Sequence, residues 1–128
     1  GAVGHSDADT LIHAMCDAFL GAASLGDIGI HFPNTSEEFR GIDSKVLLKK
    51  VAGMLKKEGY EIGNVDCTVS LEEPKISPYI PEMRKILADV LHIPVKNISI
   101  KATTTEQMGF VGREEGICAY AICLLMGY

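Results

Sequence analysis

Tryptophan is missing from this chain, and aromatic residues of all kinds make up only 6% of it. No run of lysine and arginine is interleaved with aromatics, and acidic residues outnumber basic ones by 17 to 12, for a net charge of −5. A nucleic-acid surface is built from the features that are lacking here, so no nucleic-acid partner is expected. Long hydrophobic runs are also lacking: none approaches a membrane span, and no signal-peptide pattern opens the chain. No membrane association is therefore predicted. The four cysteines, Cys16, Cys67, Cys118 and Cys123, form no C-x-x-C pair and lie in segments of apolar periodicity. They read as small reduced core residues, which points to a reducing compartment, cytoplasm or an organelle interior.

With 128 residues, 47% of them hydrophobic and 23% charged, the chain has the composition of one globular domain spanning 1–128. Periodicity of the helical kind runs from about Asp7 to Ala23, with Leu11, Ile12, Met15, Phe19 and Ala22 inward. A second helix is predicted between Asp43, a good N-cap, and Gly59, a good C′ residue. A third carries Ile80, Met83, Leu87, Val90 and Leu91 inward and stops near Pro94. Strict alternation marks strands over 64–71 and 98–103. The segment 117–125 is apolar at both parities, as in a strand covered on both faces. The predicted class is α+β, a small mixed sheet with helices packed on one face.

Polar residues gather in two places. In His5-Ser6-Asp7-Ala8-Asp9-Thr10-Leu11-Ile12-His13, two histidines sit with two aspartates at a predicted helix start, with Ser6 as the N-cap. Asp9, His13 and Asp17 follow at i, i+4 and i+8 on one helix face. An imidazole between carboxylates is how metal-ligand histidines are commonly oriented, and His5 before the cap suits an anion. The same residues also suit a well-capped helix with an ordinary hydrogen-bonded histidine, and both readings stay open on this stretch alone. The second place is Lys101-Ala102-Thr103-Thr104-Thr105-Glu106, followed by Phe110 and Arg113. Hydroxyls and backbone N–H groups at a strand end hold phosphate oxygens, a neighbouring carboxylate can hold Mg²⁺, and Arg113 offers a fork donor. Taken singly, these threonines are also plain strand formers. The acidic balance does not oppose a phosphorylated substrate, because ions and backbone dipoles supply local positive charge.

His5-Ser6-Asp7-Ala8-Asp9 with His13, Gly26-Asp27-Ile28-Gly29 with Phe32-Pro33, Pro74-Lys75, Met83-Arg84, Lys101 to Glu106, and Gly109-Phe110 with Gly112-Arg113 occur in the order and spacing of one family. Over essentially its whole length the chain resembles the 2-C-methyl-D-erythritol 2,4-cyclodiphosphate synthases. The resemblance implies cyclisation of 4-diphosphocytidyl-2-C-methyl-D-erythritol 2-phosphate, a small diphosphate substrate, with loss of CMP, in non-mevalonate isoprenoid synthesis. It implies zinc or another divalent ion at His13 and Mg²⁺ or Mn²⁺ at Glu106. His5 and Thr104 match positions that stabilise the transition state. Ser6, Asp27, Ile28, Gly29, Phe32, Pro33, Asn34, Thr35 and Ser36 match the methylerythritol side. Position 34 is often Asp in the family and is Asn here. Pro74, Lys75, Ile76, Ala102, Thr103, Thr104, Thr105 and Glu106 match the cytidine diphosphate pocket, and Phe110 and Arg113 match substrate contacts near the metal.

The family is a homotrimer with sites shared between subunits and sheets gathered about the three-fold axis, where some members hold an isoprenoid phosphate. Its members lie in bacterial cytoplasm or in organelles such as plastids. One departure stands out: the family's Asp-x-His zinc motif, carried on an upstream first strand, does not occur in these residues. The domain as given is expected to lack that strand, to hold zinc weakly through His13 alone, and so to turn over little substrate. A trimeric binding module, or a domain cut from a longer chain that includes a cytidylyltransferase, are the competing expectations.

Overall fold

The computed structural model describes residues 3–33, 43–71, 76–104, 109 and 116–127, with side chains from residue 8 onward. Helix α1 spans Val3–Ala22, the short α2 Ile28–His31, α3 Ser44–Lys57 and α4 Ile80–Leu91. Strands β1 (Tyr60–Ser70), β2 (Ile98–Thr103) and β3 (Cys118–Gly127) form a mixed sheet in the order β2-β1-β3. The central β1 runs parallel to β2 and antiparallel to β3. The predicted α+β class holds.

One face of the sheet carries the helices. Leu11, Ile12, Met15, Cys16, Phe19 and Leu20 recur along α1 at helical spacing and are all buried, so α1 lies flat on β3 and beside α3. Val65, Cys67 and Val69 of β1 and Ile98 and Ile100 of β2 meet them from the sheet. Asp43 caps α3 as expected, its Oδ1 accepting from the Lys45 N–H at 2.8 Å, and Gly59 (φ 88°) turns the chain straight into β1. Arg84 holds α4 to the start of β2: its Nε and Nη2 donate to the carbonyls of Ile98 and Val95 at 2.8 and 3.0 Å. Burial pushes the Cys16 and Cys67 thiols up to about 12, so these core cysteines stay protonated and unreactive.

Two expectations need correction. Helix α1 starts at Val3, so the backbone of His5 and Ser6 lies inside the helix, not in a loop and a cap before it. The apolar positions from Leu11 onward need a long seat on the sheet, and the helix simply extends upstream of the local capping signal. Strand β1 begins at Tyr60, four residues before the alternation becomes clean, because a bulge at Gly63 shifts the register between Ile62 and Asn64. Strand β3 is covered on one face only in the single chain: Ala119, Ala121, Cys123 and Leu125 pack on the core, while Tyr120, Ile122, Leu124 and Met126 are exposed.

Gly63 sits at the bulge because nothing larger fits. A Cβ there would stand 3.1 Å from the Leu124 carbonyl oxygen, a backbone atom on the paired strand. Gly63→Ala is expected to cost about 1–3 kcal/mol, as overpacking usually does. Urea unfolding followed by circular dichroism checks this, and an unchanged midpoint would mean that the bulge relaxes freely.

Candidate active site

The C-terminal ends of β1 and β2 define one end of the sheet. Their parallel register pairs Val69 with Ala102 and Ser70 with Thr103, and the Leu71 N–H donates to the Thr103 carbonyl at 3.1 Å. Leu71 and Thr104, the first residues past the two strands, therefore stand at the same sheet end. Ser70 is buried, Thr103 and Thr104 are exposed at the strand end, and Ile76 is fully buried in the core. Sequence reasoning did not single out Ser70. Its signal was only that of the outward parity in an alternating strand.

The second region lies along α1 and the turn that follows it. Ser24 (φ 58°) and Gly26 (φ 92°) reverse the chain, and the Leu25 N–H donates back to the Leu20 carbonyl. Residues Ile28–His31 form the single helical turn α2. Two carboxylates hold its opening N–H groups: Asp17 Oδ1 accepts from Ile28 N and Asp27 Oδ1 from Ile30 N, both at 3.0 Å. His31 Nε2 lies 2.6 Å from the Leu25 carbonyl oxygen and carries the proton of that bond. Gly29 is set close to the Asp27 carboxylate, where a Cβ would stand 3.3 Å from Oδ1.

His13 is exposed on α1. Asp9 and Asp17 share its helix face, as the spacing requires, yet both carboxylates are engaged elsewhere. Asp9 Oδ1 accepts from the Ser44 hydroxyl at 2.5 Å, and Asp17 from Ile28. The expectation that this pair orients the imidazole is corrected accordingly: backbone and hydroxyl donors from the following elements outcompete the ring. Among the described residues no group of three or more His, Cys, Asp or Glu side chains is assembled to hold an ion. The described residues thus offer one candidate ligand, His13, and do not by themselves fit a three-ligand zinc centre.

Of the expected site residues, Asp27, Ile28, Gly29, Phe32 and Pro33 lie together after α1, while Ile76, Ala102, Thr103 and Thr104 lie at the sheet end. Asn34, Thr35, Ser36, Pro74, Lys75, Thr105, Glu106, Phe110 and Arg113, with the side chains of His5 and Ser6, lie outside the described residues.

A helix rich in histidine and carboxylate, laid on a mixed sheet whose parallel strands end in Ser70 and Thr103, is the frame of a small α+β enzyme domain. The chain belongs to the YgbB family, whose model matches residues 1–126. A relative from Porphyromonas gingivalis, named 2-C-methyl-D-erythritol 2,4-cyclodiphosphate synthase, is 57% identical over 126 residues, covering 98% of this chain and 78% of the relative. That name is the name of a lyase. Among solved structures, the bifunctional IspDF from Campylobacter jejuni superimposes with a TM-score of 0.89 at 37% identity, over 93% of this chain. The chain spans only 32% of that longer protein. The IspF of Plasmodium falciparum, solved as a CDP complex, matches with a TM-score of 0.81 at 33% identity, over 92% of this chain and 70% of that one. No helix among the described residues is long and apolar enough to cross a membrane.

Proposed function

We propose that this chain cyclises 4-diphosphocytidyl-2-C-methyl-D-erythritol 2-phosphate to the 2,4-cyclodiphosphate and releases CMP. The observation that carries the reading is the parallel β1–β2 register, which brings Ser70 and Leu71 beside Thr103 at one end of the sheet. The nucleotide diphosphate lies there, as a CDP ligand in the Plasmodium falciparum relative supports. Asp27, Ile28, Gly29, Phe32 and Pro33 take the methylerythritol end, together with Asn34 to Ser36.

An oxygen of the substrate's 2-phosphate attacks the β-phosphorus, the bond from that phosphorus to the bridging oxygen breaks, and the electron pair leaves with CMP. The nucleophile is already an anion, so no protein base has to remove a proton. The protein's work is to fold the substrate so that attacking and leaving oxygens are in line, and to meet charge on the transferring phosphoryl group. His5 and Thr104 donate to those oxygens in this reading, and Arg113 and Lys75 offset the diphosphate charge. In this reading His13 and Glu106 would each contribute to holding a divalent ion, which would supply Lewis-acid chemistry.

The working unit is a homotrimer. Four large apolar side chains on the outer side of β3 support this, since exposed patches of that kind on a single chain mark an interaction surface.

Titration with CMP tests the nucleotide pocket. Thr104→Ala and Lys75→Ala are each expected to weaken binding about tenfold, the worth of one hydrogen bond to a charged group. Unchanged affinity in both would remove the pocket from this end of the sheet.

A further inference from the structure

Asp9, His13 and Asp17 stand one turn apart along α1, and the two carboxylates grip opposite ends of the same stretch of chain. Asp17 Oδ1 holds the Ile28 N–H, the first residue of α2, at 3.0 Å. Asp9 Oδ1 accepts from the hydroxyl of Ser44, the first residue of α3, at 2.5 Å. The two described ends of the stretch from α2 to α3 are thereby fastened to α1, one turn after His13 and one turn before it. Both anchors bridge distant positions: 11 residues separate Asp17 from Ile28, and 35 separate Asp9 from Ser44. Ser44 is only 5% exposed, so its hydroxyl depends on Asp9 for an acceptor. Neither carboxylate is needed to start its own helix, since both lie well inside α1. At the α2 end, Asp27 caps Ile30 while Asp17 takes Ile28, so two carboxylates from different elements set where Asp27 and Gly29 stand.

We propose that Asp9 and Asp17 are positioning residues: they fix α2, with the Asp27 and Gly29 that receive the sugar-phosphate end of the substrate, and the first turn of α3 against the helix that bears His5 and His13. This rests on the cyclisation reading given above. Neither residue touches the reacting atoms. Each acts through the backbone or hydroxyl that it holds, and the nucleotide end of the site, built on β1 and β2, is independent of both.

The test uses the full chain, with three readouts on each variant: steady-state release of CMP from the substrate, CDP affinity and thermal midpoint. Asp17→Ala is expected to raise KM about tenfold and to leave CDP affinity as it was. Asp17→Asn keeps a carbonyl oxygen for the Ile28 N–H and is expected to return KM to within about twofold of the unaltered protein. Asp9→Ala and Ser44→Ala remove the same bond from its two sides and are expected to raise KM equally, with Asp9→Asn restoring it. A merely structural role predicts something else: lower midpoints, CDP weakened in step, and KM unchanged once the folded fraction is counted. That pattern, or Asn variants no better than Ala variants, overturns the inference while an active unaltered protein leaves the cyclisation reading in place. An unaltered protein that releases no CMP overturns that reading and the inference with it.

Discussion

Ile122→Asp is expected to leave the chain folded and to hold it as a single 13.8 kDa species in sedimentation velocity, where the proposed trimer is expected of the unaltered protein. Ile122 is 71% exposed in the single chain, midway along a row with Tyr120 (65%), Leu124 (60%) and Met126 (47%). Fully burying one such side chain is worth about 1.5–3 kcal/mol, and three copies would bury the row three times over. An ionised carboxylate at the centre of that dry contact costs several kcal/mol, which is more than the rest of the row can offset. In the monomer the new group meets water. Its cross-strand neighbour is Asp66, whose carboxyl is held below the usual range chiefly by the hydrogen bond from Lys101 at 2.8 Å. That lysine also tempers repulsion between the two acids. A variant that still sediments as a trimer, or an unaltered protein that runs as a monomer, would show that the outer side of β3 is not the contact.

The second large effect lies in the core. Phe19 is fully buried where α1 crosses the sheet. Phe19→Ala removes most of a ring and leaves a cavity that the surrounding Leu, Val and Cys side chains fill only in part, at a cost of about 3–5 kcal/mol. Domains of this kind have only about 5–15 kcal/mol in total, so a marginal variant would be partly unfolded at growth temperature. Urea unfolding should show a lower midpoint with the slope retained. A loss under about 1 kcal/mol would mean that α1 is not seated on the sheet as described. Because α1 also bears His5 and His13, the loss of activity with urea in this variant should begin at lower concentration than in the unaltered chain.

Much of the architecture was legible because its signals are periodic. Val65, Cys67 and Val69 announce a half-buried strand by parity, and Leu11, Met15 and Phe19 announce a helix by spacing. What misled were local signals that distant contacts override. Ser6 and Asp9 form a good capping pattern, yet Asp9 turns to Ser44, which lies 35 residues on and cannot be paired with it from sequence. Asp17 looked like an orienting partner for His13, but the nearer opportunity was an N–H that exists only once α2 has folded back. The apolar outward parity of β3 was visible in the sequence. Whether a helix or another subunit covers it depends on how many elements the fold provides, which periodicity does not encode. The candidate site was legible as two clusters of residue types. That the ends of β1 and β2 lie at one side of the sheet depends on their parallel direction, and a parallel pair reveals itself only through its crossover, α4.

The seating of α1 on β3 also has a consequence for how the protein is made. Cys123 Sγ donates to the Ala18 carbonyl at 3.5 Å, and these residues are 105 positions apart. At ribosomal rates of about 5–20 residues per second, α1 emerges roughly 5–20 s before the strand that it covers. Throughout that interval its row of Leu11, Met15, Phe19 and Leu20 lacks the strand that covers most of it. The last described strand must then slip between a finished helix and a waiting β1. The nascent chain thus passes through a long stage in which its most apolar helix is complete and its sheet is not, the stage at which a holding chaperone has most to bind.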